Sequence, residues 1–95
     1  QVCIGILDEN NHLIGFTRVI SDFIYKAIIF DVMVEAKYRG SGLGKELIGI
    51  VKNHQKLKNV KHLELYCLPE LEDFYSHLGF STDLDGIRLM RFNNV

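Results

Sequence analysis

"YRGSGLGKEL", residues 38–47, places three glycines within five positions and then runs directly into an apolar period that reads as a helix. Glycine weakens strands and helices alike, because its backbone loses the most freedom on ordering. A cluster of it at an element boundary implies a chain that bends sharply or approaches something closely. Upstream, "YKAIIFDVMVE" (25–35) reads as a long strand whose alternation turns uneven from Asp31 onwards. Downstream, Leu43, Leu47, Ile50, Val51, His54 and Leu57 recur at a helical period, with lysines at 45, 52 and 56 on other faces. A strand that ends in a glycine-rich turn opening a helix is a ready anion site. The first-turn N–H groups have no intrahelical partners, and the helix dipole adds partial positive charge.

Two familiar phosphate loops do not fit. The P-loop needs Gly five residues before its Gly-Lys pair and Ser or Thr after it, and those places hold Arg39 and Glu46. In the dinucleotide fingerprint the third glycine would fall on Lys45 or on Leu47.

Outward from this stretch, "VCIGILD" (2–8) and "LIGFTRVIS" (13–21) read as strands joined by a tight turn at Asn10-Asn11, since Asn tolerates positive φ. With 25–35 they form an antiparallel meander. "VKHLELYCL" (60–68) alternates again and, following a helical crossover, should run parallel to the third strand. "PELEDFYSHLGF" (69–80) opens with Pro, carries acids in its first turn and stops at Gly79, as a helix does. "IRLMRF" (87–92) reads as a last strand, joined through "DLDG" to a short one near 80–83. The expected order is βββαβα followed by a terminal β-hairpin, an α/β (α+β) mixed sheet forming one domain over 1–95.

The composition agrees. The chain has 95 residues, is 47% hydrophobic and 24% charged, and holds a single proline, which fits one packed domain. A net charge of −1 gives no support for a nucleic-acid or membrane surface, and no apolar run approaches the roughly 20 residues a bilayer span requires. Cys3 and Cys67 lie in apolar stretches and are expected as reduced, buried thiols of a cytoplasmic protein. The four histidines lack metal-ligand spacing, so no metal is expected.

Arg39-x-x-Gly42-x-Gly44 does fit the Q/R-x-x-G-x-G/A signature of the GNAT superfamily of acyl-CoA-dependent N-acetyltransferases. The chain resembles that family over nearly its whole length. "DVMVEAKYRGSGLGKELI" is similar to its acetyl-CoA strand, pyrophosphate loop and following helix, and "FYSHLGF" to its second signature, an aromatic-Tyr helix ending in Gly-Phe. "DVMV…YRG" and "CLPELEDFYSHLGF" are also similar to segments of glucosamine-6-phosphate N-acetyltransferases. "GFTRVISD…FDVMV…YRGSGLGKELI" resembles small bacterial GNAT proteins and covers more of the chain.

The resemblance implies roles. Backbone N–H groups of Arg39, Gly40, Ser41, Gly42, Leu43, Gly44 and Lys45 would bind the CoA pyrophosphate. The backbone of Val32, Met33 and Val34 would pair with pantetheine as an added strand, and one N–H there would support the oxyanion of the reacting thioester. Tyr75 falls where the family keeps a tyrosine bonded to the departing sulfur. A thiol has an ordinary pKa of ~8.5 and a tyrosine ~10, so full proton transfer to the thiolate is uphill by about 2 kcal/mol unless the environment narrows the gap. Asp31 is the candidate base for the incoming ammonium, with a raised pKa if buried amid Ile29, Phe30 and Val32; a structural or substrate-binding role is equally open, and Glu35 and water are rivals. Two positions depart from the pattern: Ala36 stands where a proline is common, and Leu68 where an asparagine usually contacts CoA.

The expected chemistry is acetyl transfer from acetyl-CoA to a primary amine of a small molecule or peptide. The family's first strand and two helices have no counterpart ahead of "VCIGIL", so one sheet face should be open, to be covered by a partner such as a second copy in a homodimer, or by residues lost from the front. The alternative is a non-catalytic or incomplete acetyl-CoA-binding module acting within an assembly.

Overall fold

The computed structural model describes residues 1–94. Strands β1 (Val2–Leu7), β2 (Leu13–Ser21) and β3 (Lys26–Val34) form an antiparallel meander, and β4 (His62–Leu65) joins β3 in parallel after the crossover helix α1 (Leu43–Asn53). A 3₁₀ turn at Pro69–Leu71 leads into the short helix α2 (Glu72–His77). The meander turns as its sequence suggests: Asn11 takes φ 64°, while the Asp8 carboxylate accepts the N–H groups of Asn10 and His12 at 2.8 and 2.9 Å.

Helix α1 lies on one sheet face. Its Leu43, Leu47, Ile48 and Val51 are buried, Ile48 and Val51 in one core cluster with Val19, Ala27 and Ile29. Gly15 of β2 makes this seat, since a Cβ there would meet the Leu43 and Leu47 side chains at 3.3 Å. The helical period does not continue to Leu57. The helix ends at Asn53, His54 is extended (ψ 135°), and Leu57 reaches the core from a turn. On the other sheet face Phe30 and Met33 stay about half exposed, with the Arg18 side chain 5.4 Å over the Phe30 ring.

The uneven alternation after Ile29 has a structural cause. Arg18 pairs with Asp31 but the next residue, Val19, pairs with Ile29, so Phe30 is an extra residue in β3. Beside the bulge the buried Thr17 hydroxyl donates to the Asp31 carbonyl at 2.5 Å.

Three expectations change. The terminal β-hairpin does not form among the described residues. Its turn is present, with Asp85 at φ 58°, Gly86 at φ 85° and Ile87 N–H bonded to the Leu84 carbonyl at 3.1 Å, but no strand flanks it. Ile87, Leu89, Met90 and Phe92 stay mostly exposed, and a two-stranded ribbon with no buried face is marginal in water. The fourth strand is four residues long rather than the full 60–68. Both cysteines are free and exposed, not buried. No helix among the described residues is long and apolar enough to cross a membrane.

Candidate active site

β3 and β4 pair only from Lys26↔His62 to Ile29↔Leu65. The next residue of β3 is the bulged Phe30, and a bulge increases local twist. From there to Val34, β3 has no strand partner on its β4 side, while Tyr66, Cys67 and Leu68 leave the sheet exposed. Val32, Met33 and Val34 thus lie on an open strand edge that leads to the glycine loop.

That loop is shaped by two left-handed glycines, Gly40 (φ 83°) and Gly42 (φ 90°), the second of which is the N-cap of α1. The Arg39 and Ser41 N–H groups turn inward to the Ala36 and Tyr38 carbonyls, and the Ser41 hydroxyl also donates to Tyr38. The N–H groups of Gly40, Gly42, Leu43, Gly44 and Lys45 find no acceptor among the described residues. A Cβ at 40 or 42 would meet nothing within 4 Å, so the space before these amides is open. A diphosphate fits this donor set, with exposed Arg39 and Lys45 adding charge. Gly44 has a different reason. A Cβ there would stand 3.3 Å from Cζ of Phe74, so this glycine admits an aromatic ring of α2.

Tyr75 is set by the end of α2. The Gly79 N–H bonds to the Ser76 carbonyl at 3.0 Å and the Phe80 N–H to the Tyr75 carbonyl at 3.1 Å, with Gly79 at φ 98°. This is the Schellman ending, and its usual apolar contact is the Tyr75–Phe80 ring pair, 6.0 Å apart at 81°. The Gly-Phe after the tyrosine is thereby explained as a helix stop that clamps the tyrosine ring. Burial pushes the Tyr75 phenol above its ordinary value, and Cys67 adds to the effect. Burial thus makes the Tyr75 phenol a weaker acid than an exposed tyrosine.

Asp31 is not in the apolar pocket its neighbours suggest. The bulge carries it to the open sheet face, where it is half exposed and its Oδ2 lies 3.2 Å from Arg18 Nε. The distance is that of an ion pair, yet the Arg18 Nε–H is not aimed at the carboxylate and makes no hydrogen bond. Glu35 is exposed beside a shallow hollow of about 190 Å³ that also includes Met33 and Val34.

A cavity of about 730 Å³ lies along the free edge of β4, between α2 and residues 79–89. It takes in Tyr75 and Cys67 but neither the open edge of β3 nor the glycine loop. Its volume is the room left where no strand pairs with β4 on that side. Among the described residues no group of three His, Cys, Asp or Glu could hold a metal.

Residues 1–82 match the acetyltransferase (GNAT) domain model. The chain belongs to the GNAT family. It is 36% identical over 83 residues to the uncharacterized N-acetyltransferase ycf52 of Gracilaria tenuistipitata var. liui, covering 87% of this chain and 46% of that protein. A crystal structure of a GNAT-family acetyltransferase from Xanthomonas campestris superposes with a TM-score of 0.84 at 30% identity, over 96% of this chain and 63% of that one. Glucosamine-6-phosphate N-acetyltransferase from Arabidopsis thaliana shares the fold at a TM-score of 0.73 and 23% identity, over 95% of this chain and 65% of that one. The GNAT chain here therefore spans just under half of the Gracilaria relative.

Sequence reasoning missed Phe74, Phe80, Lys52 and Thr17 as residues that shape the site. Gly79-Phe80 after a helix was the available signal for the ring clamp, and the uneven alternation at Asp31 was the signal for the bulge. Nothing in the sequence indicated that Gly44 faces a ring.

Proposed function

We propose that this GNAT domain binds acetyl-CoA and transfers its acetyl group to a primary amine of a small molecule or peptide. The carrying observation is the fan of acceptor-free amides at Gly40 and Gly42–Lys45, placed where β3 loses its strand partner. These amides, with Arg39 and Ser41 shaping the turn, hold the diphosphate. The open edge of Val32–Val34 takes the pantetheine arm in strand-like register and aims the thioester into the gap. The amine nitrogen bonds to the carbonyl carbon, the C–S bond breaks, and the carbonyl oxygen is steadied by a β3 N–H. Tyr75 donates its hydroxyl to the departing sulfur, which ends as the free thiol after taking up a proton. The proton lost by the ammonium leaves through a carboxylate or through water. Ion-paired and half exposed, Asp31 suits attraction of the acceptor's positive charge better than proton abstraction.

Calorimetry with CoA tests the first step, and a panel of amines monitored by free-thiol detection tests the second. Tyr75→Phe keeps CoA affinity and lowers turnover about a hundredfold. Absence of CoA heat at millimolar ligand overturns the reading. Binding without turnover across the panel favours the alternative, an acetyl-CoA-binding module that needs an assembly, which the half-length match to the Gracilaria relative keeps in view.

A further inference from the structure

Helix α2 has six residues, too few to persist alone in water, and only its Tyr75 is buried in the core. Two contacts reach it from α1, one near each end of that helix. At the start, Phe74 lies against Gly44, where a Cβ would stand a tight 3.3 Å from the ring, and the Phe74 ring stands edge-on to Tyr75 at 5.0 Å and 77°. In the last turn, the Lys52 ammonium donates to the Leu78 carbonyl, the C-cap of α2, and lies 5.3 Å over the Phe80 ring. A cation at this position meets both the unsatisfied helix carbonyl and the negative helix end. Phe80 is the same ring that packs on Tyr75.

We infer that Lys52 and the Gly44–Phe74 contact clamp α2 to α1, so that a diphosphate seated on the first turn of α1 also fixes the orientation of Tyr75. This rests on the acetyl-CoA reading for its ligand but not for the clamp itself. Lys52, Gly44 and Phe74 are positioning residues: they act on Tyr75 through packing and through the end of its helix. The glycine at 44 then serves two neighbours at once, exposing an amide to the anion and a notch to the ring.

Amide hydrogen exchange on the full chain tests the inference, with CoA as the probe. In the parent protein, saturating CoA slows exchange at 76–80 by about tenfold, although these amides lie outside the loop. Lys52→Met binds CoA within about twofold of the parent by calorimetry, yet loses that slowing, and Lys52→Arg, which keeps a donor and a charge, retains most of it. Slowing at 76–80 that persists in Lys52→Met overturns the clamp. If the parent gives no CoA heat, the acetyl-CoA reading fails and the clamp is judged without ligand. Lys52→Met then exchanges at 76–80 severalfold faster than the parent with β1–β3 unchanged, and equal rates overturn it.

Discussion

Two turns of the molecule each use two left-handed residues, Gly40 with Gly42 and Asp85 with Gly86, and only the first becomes part of the fold. At 40–42 the turn delivers the chain into α1, whose Leu43, Leu47, Ile48 and Val51 bury against the sheet. At 84–87 the turn is equally well formed, with two positive φ angles and its closing hydrogen bond, but the flanking Ile87, Leu89, Met90 and Phe92 meet water. Turn chemistry sets a local direction; burial of an apolar face decides whether anything is built on it. The 40–42 turn has Gly15 opening a seat for α1, and the 84–87 turn has no such seat among the described residues.

The largest break in this contrast is a core truncation. Leu47→Ala, at a fully buried site, lowers unfolding free energy by about 3 kcal/mol in urea titration, while Met90→Ala stays within about 0.5 kcal/mol. Next come the turns themselves. Gly42→Ala costs about 1 to 2 kcal/mol because φ 90° strains an L-residue, and it weakens CoA binding as well. Gly86→Ala has the same local strain, yet global stability moves by less than about 0.5 kcal/mol, because that segment relaxes without disturbing the core. An effect at Gly86 as large as at Gly42 shows that residues 84–92 pack somewhere in solution.

Thr17→Val sharpens the contrast at the bulge. It removes the hydroxyl that donates to the Asp31 carbonyl and costs about 1 kcal/mol, measured by the same titration.

The smallest effects come from pH. Asp8 is held below its ordinary value chiefly by the His12 backbone N–H, and Asp22 chiefly by that of Ile24. Both carboxyls stabilise the fold fully above about pH 4, the ordinary carboxyl range, and that contribution fades as pH falls through their lowered values. Tyr75 works the other way. Its raised value means its contribution is complete below about pH 10 and declines as pH climbs beyond, a decline that Tyr75→Phe abolishes. Thermal melts across pH register both.

Much of this was legible beforehand where local chemistry and burial agree. The Asn turn, the meander, the parallel crossover, the glycine loop and the Tyr75 helix all announce themselves by period and turn residues. The last hairpin was misread because "DLDG" and an apolar run supply the local half of a hairpin but not the surface it needs. Asp31 was expected in an apolar setting because neighbours in sequence stand in for neighbours in space. One extra residue at Phe30 broke that equivalence and put the carboxylate beside Arg18.

That surplus residue also has a genetic reading. The register of β2 on β3 shifts through one residue more on β3 than on β2, and the pairing of β3 with β4 stops beside that shift. Losing one codon between Ile29 and Val32 would even out the ladder with β2.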